Sequence, residues 1–94
     1  MTAYVISQVE LKPGPALEEY RRLAAASIER HGGKYLVRGG QLEVLEGEWT
    51  RAAVVVAFES AEQARAWYTS DDYAEALSFR DDALSRNLVL VEGV

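Results

Sequence analysis

His31-Gly32-Gly33-Lys34-Tyr35-Leu36-Val37-Arg38-Gly39-Gly40 is the stretch on which the fold turns. It closes a helix, opens a strand and then bends the chain. Upstream of it, Leu17, Tyr20, Ala24, Ile28 and His31 recur at spacings of three and four and so share one helical face. Glu18, Arg21, Arg22, Glu29 and Arg30 fall elsewhere on the cylinder, with Glu18 and Arg22 as a favourable i,i+4 pair. The pattern predicts a helix over 15–31. Pro15 enters it where a missing N–H is harmless, and Gly32 or Gly33 leaves it through a left-handed residue. Downstream, Lys34 to Val37 reads as a strand, Gly39-Gly40 as a bulge or bend, and Gln41 to Glu46 as an extended continuation.

Working outward, Ala3 to Leu11 reads as a strand through Tyr4, Val5, Ile6 and Val9, and Pro13-Gly14-Pro15 breaks it. Gly47-Glu48-Trp49-Thr50 reads as a turn, and Arg51 to Glu59 is the clearest strand of the chain. Ser60-Ala61-Glu62-Gln63 has the form of a capping box, in which the hydroxyl and the Gln side chain satisfy opposite backbone N–H groups. A short helix follows through Trp67 and Tyr68. Ser70-Asp71-Asp72 reads as a second N-cap, followed by a helical segment with Tyr73, Leu77, Arg80 and Leu84 on one stripe. Asn87 to Glu92 is the last strand. The order strand–helix–strand–strand–helix–strand predicts an α+β, ferredoxin-like βαββαβ domain over residues 1–94, a four-stranded antiparallel sheet with helices on one face.

The composition narrows the partners. With 94 residues, 49% hydrophobic and 27% charged, the chain has the make-up of one globular domain. It contains no cysteine and one histidine, which excludes thiolate and multi-histidine metal sites within one chain. No cofactor is expected. The net charge of −5 repels a phosphate backbone, and the cations are scattered, so nucleic acid is not an expected partner. The longest apolar run, Ala52 to Phe58, is far too short to span a bilayer. No basic start followed by an apolar stretch marks a signal peptide, and the expected location is the cytoplasm.

The strand pattern also predicts a partner. In Arg51 to Glu59, Val54, Val56 and Phe58 point one way and Ala53, Val55 and Ala57 the other, so both faces are apolar. Leu88-Val89-Leu90-Val91 behaves likewise. Two helical segments cover one face only. A second copy packed sheet to sheet is the economical lid, giving a homodimer of the dimeric α/β-barrel type.

Few side chains can carry chemistry. His31 is the only one with an ordinary pKa near neutrality, and it reads either as a general base at a cleft mouth or as a cation complementing the helix end. Arg80, on an apolar stripe, reads as an anion clamp or as a member of an internal ion pair with Glu43, Asp81 or Glu10. Arg38 precedes the Gly-Gly bend and Arg51 opens the third strand. Trp67, Tyr68 and Tyr73 read as pocket lining or as core. Phosphate-loop, nucleophile-elbow and paired-carboxylate patterns do not occur.

Taken together, His31 to Gly40, Glu43 to Trp49, Arg51, Ala66-Trp67-Tyr68-Thr69-Ser70-Asp71-Asp72-Tyr73, Arg80 and Val91-Glu92-Gly93 resemble the domain of unknown function 1330 family over nearly the whole chain. The resemblance implies the dimeric α/β-barrel assembly and no assigned activity. It marks Arg38, Gly39, Gly40, Trp67, Ser70, Tyr73 and Arg80 as a ligand-binding cleft. Thr69-Ser70-Asp71-Asp72 departs from the Ser-Pro-Glu often found there, at a cap rather than in the cleft. Three functions are open at this point. One is a binder of a small anionic or aromatic metabolite. Another is a cofactor-independent monooxygenase or isomerase with His31 as catalytic base. The third is a structural or interaction module without a ligand.

Overall fold

The computed structural model describes residues 1–49 and 51–94. Thr50, the last residue of the expected turn at Gly47, lies outside the described residues. The chain runs β1 (Ala3–Leu11), α1 (Pro15–Arg30), β2 (Lys34–Arg38), β3 (Ala52–Phe58), α2 (Ala61–Tyr68), α3 (Asp71–Leu77), α4 (Arg80–Ala83) and β4 (Leu84–Glu92). The strands form one antiparallel sheet in the order β2-β3-β1-β4, so the two central strands are β3 and β1. This is the α+β, ferredoxin-like arrangement that the order of elements predicts.

Register sorts every strand residue onto one of two faces. Val5 stands opposite Val56 and Leu90, and Ser7 opposite Val54 and Leu88. These residues face the helices, with Phe58, Leu84 and Arg86 on the same side by alternation. The other face carries Ile6 opposite Val55 and Val89, Tyr4 opposite Ala57 and Val91, and Val37 opposite Val55. Among the described residues no helix covers that face. Val89 is 56% exposed, Val91 45% and Val37 40%.

The opening stretch works as a joint. Gly32 has φ +77°, the left-handed conformation that a side chain resists, and it ends α1. Gly33 is needed for a different reason. A methyl there would sit 2.7 Å from Ile28 Cγ2 and 2.8 Å from two ring carbons of Phe58. Strand and helix therefore meet at a point with no room for a side chain.

Four local expectations change. The sheet bulge falls between Tyr35 and Val37, and of the bulge or bend expected at Gly39-Gly40 it is the bend that forms. Gly39 turns the chain at φ +68°, away from the sheet, so Gln41 to Glu46 does not continue the strand. Ser60 Oγ accepts from Gln63 N at 3.1 Å, but the Gln63 side chain does not return to Ser60. Its Nε2 donates instead to the carbonyl of His31 at 2.7 Å, satisfying an orphan acceptor at the end of α1. Finally, the stripe Tyr73-Leu77-Arg80-Leu84 is split. The helix breaks at Ser78-Phe79, and Leu84 is already extended at φ −165° and ψ 167°, so β4 starts three residues before Asn87.

Candidate functional site

A cavity of about 400 Å³ lies between the sheet and α1. Its floor is the helix-facing side of the sheet, with Val5, Val9, Val54, Val56 and Leu88. Leu17, Ala24 and Ile28 of α1 form its roof. These walls are apolar, as the walls of small-molecule sites usually are. Trp67 and Tyr73 stand against them with ring centroids 4.2 Å apart. Trp67 is fixed by its indole N–H, which donates to Ser27 Oγ at 3.0 Å, and Ser27 Oγ in turn donates to the carbonyl of Ala24 at 2.8 Å.

The polar end of the cavity is a cluster of three side chains from three elements. Arg86 of β4 donates from one terminal nitrogen to Tyr20 Oη and from the other to Tyr73 Oη, both at 2.6 Å. The two hydroxyls are 2.7 Å apart and share a hydrogen bond. Tyr20 comes from α1 because it lies on the buried stripe of that helix, and Tyr73 comes from α3 because Ser70 caps that helix. Burial first, and then Tyr73, hold the Tyr20 hydroxyl well above the ordinary tyrosine value against the opposing pull of Arg86. Burial works against the Arg86 charge, but the oxygens of Tyr20 and Tyr73 outweigh it, and the guanidinium remains a cation.

Arg38 stands at the β2 side of the cavity, its guanidinium 4.4 Å from the centroid of the Tyr35 ring. Burial raises the Tyr35 hydroxyl above its ordinary value, with Arg38 pulling the other way. Arg21 of α1 also lines the cavity. Among the described residues the walls thus hold three guanidiniums and no Asp, Glu or His. Among the described residues Arg86 has no carboxylate within ion-pair distance.

Of the residues expected at the site, Arg38, Gly39, Trp67 and Tyr73 line this cavity together. Gly40 follows them on the turn but does not line it. Ser70 lies behind the wall, its Oγ accepting from Tyr73 N at 3.2 Å and donating to the carbonyl of Trp67 at 2.7 Å. Arg80 does not line the cavity but lies with Lys12, Tyr68 and Asp81 in a more open hollow that shares Leu84, Arg86 and Leu88 with it, and its Nε is 3.5 Å from Asp81 Oδ1. His31 lines neither space. Its Nδ1 is 2.9 Å from the carbonyl of Ser27, at the C-terminal end of α1. Among the described residues no three His, Asp or Glu side chains come together as a metal site.

Arg86 and Tyr20 complete the cluster, and neither is marked by the sequence motifs. Tyr20 reads as core from its helical stripe. Arg86 does carry a signal: in Leu84-Ser85-Arg86-Asn87-Leu88 it takes the apolar phase of the alternation, where a charge calls for a reason. A strand begun at Asn87 leaves that phase unread.

The fold and this cavity define a class: a ferredoxin-like domain that encloses an apolar, cation-ended space between sheet and helices. Within that class the chain belongs to the family described as "Domain of unknown function (DUF1330)", whose pattern matches residues 2–94. No curated protein matches it. Among solved structures it is similar to a protein of unknown function from Rhodopseudomonas palustris, with TM-score 0.77, 20% identity and 99% and 82% of the two chains covered. It is also similar to SnoaB, a cofactor-independent oxygenase from Streptomyces nogalater, with TM-score 0.69, 12% identity and 99% and 93% covered. A dimeric ferredoxin-like protein of unknown function from Thermobifida fusca matches with TM-score 0.54, 17% identity and 96% and 89% covered. At these identities the likeness is one of fold. No helix among the described residues is long and apolar enough to cross a membrane.

Proposed function

We propose that this protein binds a small metabolite with an aromatic or apolar body and an anionic oxygen, in the cavity beneath α1. The observation that carries the reading is Arg86. A partly buried guanidinium normally has a carboxylate beside it, because an uncompensated charge is costly away from water. Here its partners are two phenol oxygens, Arg21 and Arg38 add charge of the same sign, and among the described residues no acid lines the space. The chain as a whole carries −5, so this local excess of positive charge runs against its average. An acidic ligand supplies the missing counter-charge, and the apolar walls take its body.

His31 has no place in this reading, since its ring faces a backbone carbonyl outside the cavity. The functional unit is a homodimer in the same proposal. The uncovered sheet face presents Tyr4, Ile6, Val55, Val89 and Val91, and a second copy, apolar on the same face, would cover it. The Thermobifida fusca relative, which shares the fold, is dimeric.

A thermal-shift screen with aromatic carboxylates and phenols tests the binding. A ligand at a hundred times its Kd stabilises by about 2.7 kcal/mol, which for a domain of this size raises Tm by roughly 10–20 °C. Arg86→Met abolishes that rise for every acid that gives one. Shifts that survive the substitution rule out the cation as the anchor. In sedimentation equilibrium at micromolar concentration the protein runs as a dimer and Val89→Lys as a monomer. A wild-type monomer sinks the dimer proposal.

A further inference from the structure

The cluster at the end of the cavity has one proton too many. Two hydroxyls bring two protons, and only one can lie in the 2.7 Å bond between Tyr20 and Tyr73. Both oxygens already accept from Arg86. The second hydroxyl proton therefore has no acceptor within the cluster; both phenols line the cavity, and since Tyr73 is fully buried while Tyr20 keeps 7% of its surface open, Tyr20 is the phenol that can present it. Among the described residues every polar side chain on the wall is a hydroxyl or a guanidinium, with no carboxylate or imidazole. Tyr20 and Arg21 come from α1, Tyr35 and Arg38 from β2, Tyr73 from α3 and Arg86 from β4. Tyr68 of α2 stands behind, its ring 5.8 Å from that of Tyr73. β1 and β3 bring only Ser7 and apolar residues.

From this geometry we propose that Tyr20, Tyr73 and Arg86 form an oxyanion hole that binds a phenol or enol as its conjugate base. The proposal rests on the binding reading above and names its substrate class. The ligand oxygen accepts the spare hydroxyl proton, and Arg86 polarises that hydroxyl from behind through the chain of hydrogen bonds. Such preorganised donors favour an oxygen most when it carries full charge in a site of low polarity. No group on the wall is a base near neutrality, so the ligand proton leaves to solvent: ROH in water becomes RO⁻ in the cavity and a hydrated proton outside. Tyr20 keeps its own proton, because burial and Tyr73 hold its acidity down.

The probe is 4-nitrophenol, whose ionised form is yellow and whose neutral form is not, with 4-nitroanisole as the isostere that cannot ionise. Titration of bound 4-nitrophenol shows its apparent pKa lowered by about one unit or more, equivalent to ionised ligand binding at least roughly tenfold more tightly than neutral ligand. Arg86→Met and the double variant Tyr20→Phe, Tyr73→Phe each return the pKa to its value in water. Their continued binding of 4-nitroanisole shows that they are folded with the cavity intact. Arg86→Lys, which keeps the charge but loses the fork, checks the result if either variant fails to fold, and it retains part of the shift. If both probes bind wild type and the 4-nitrophenol pKa does not move, the oxyanion hole is refuted while the binding reading stands. Failure of both probes to bind overturns the two together.

Discussion

Replacing Gly33 with alanine tests how α1 is joined to the sheet. The added methyl would meet Ile28 Cγ2 at 2.7 Å and the Phe58 ring at 2.8 Å. Phe58 is 2% exposed and its ring centroid is 5.5 Å from that of Trp67, so it cannot swing away without disturbing the cavity wall. Inserting a methyl into a packed core costs about 1–3 kcal/mol. Loss of glycine's freedom in the unfolded chain offsets roughly 0.4–1 kcal/mol of that. The net loss, up to roughly 2.6 kcal/mol, lowers Tm by as much as about 20 °C. Gly40 is the control. An added methyl there meets nothing within 4 Å and its φ is not positive, so Gly40→Ala leaves Tm unchanged or raises it by a few degrees. Both are measured by circular dichroism melting at one protein concentration, because association shifts Tm by mass action. Adding Phe58→Leu to Gly33→Ala gives a loss smaller than the sum of the two single losses, since the ring that resists the methyl is gone. Equal melting of Gly33→Ala and Gly40→Ala, or strict additivity with Phe58→Leu, refutes the steric account.

Three further outcomes follow from the same structure. Tyr20 has a folded-state pKa raised above its unfolded value, so its contribution to stability is complete below about pH 10 and is lost as the pH rises from there. Alkaline melting curves therefore fall more steeply for wild type than for Tyr20→Phe, and parallel curves contradict the assignment. Trp67→Phe keeps a ring against Tyr73 but removes the indole donor to Ser27 Oγ, which is fully buried. It lowers stability by about 1–3 kcal/mol in urea denaturation; no change in midpoint argues against that hydrogen bond. His31→Gln leaves ligand-induced thermal shifts within error of wild type, because the ring lies outside the cavity. A tenfold loss of affinity contradicts that placement.

Much of the fold can be read locally. Helix α1 announces itself by a 3.6-residue apolar repeat between Pro15 and Gly32, and β3 by a run of valines. Spacing and turn chemistry act between near neighbours, so they survive without tertiary context. Of the residues expected at a site, Arg38, Gly39, Trp67 and Tyr73 meet around one cavity. Arg80 did not follow them. Periodicity extends a helix through Ser78-Phe79, whereas the chain breaks there so that β4 can pair with all of β1 from Leu11 inward.

The sequence by itself determined the succession of elements, the two apolar faces of the sheet and the joint at His31 to Gly40. Those depend on residues within a turn or a strand of one another. Only the tertiary structure decided where the charge sits. Arg86, Tyr20 and Tyr73 are 13 to 66 positions apart, and hydrogen bonds between them exist only once α1, α3 and β4 enclose the same space. A guanidinium on a strand has no meaning until its partners are known to be two phenols and no carboxylate. That choice of partners is what carries the proposal of a ligand site at the polar end of the cavity in place of a structural ion pair.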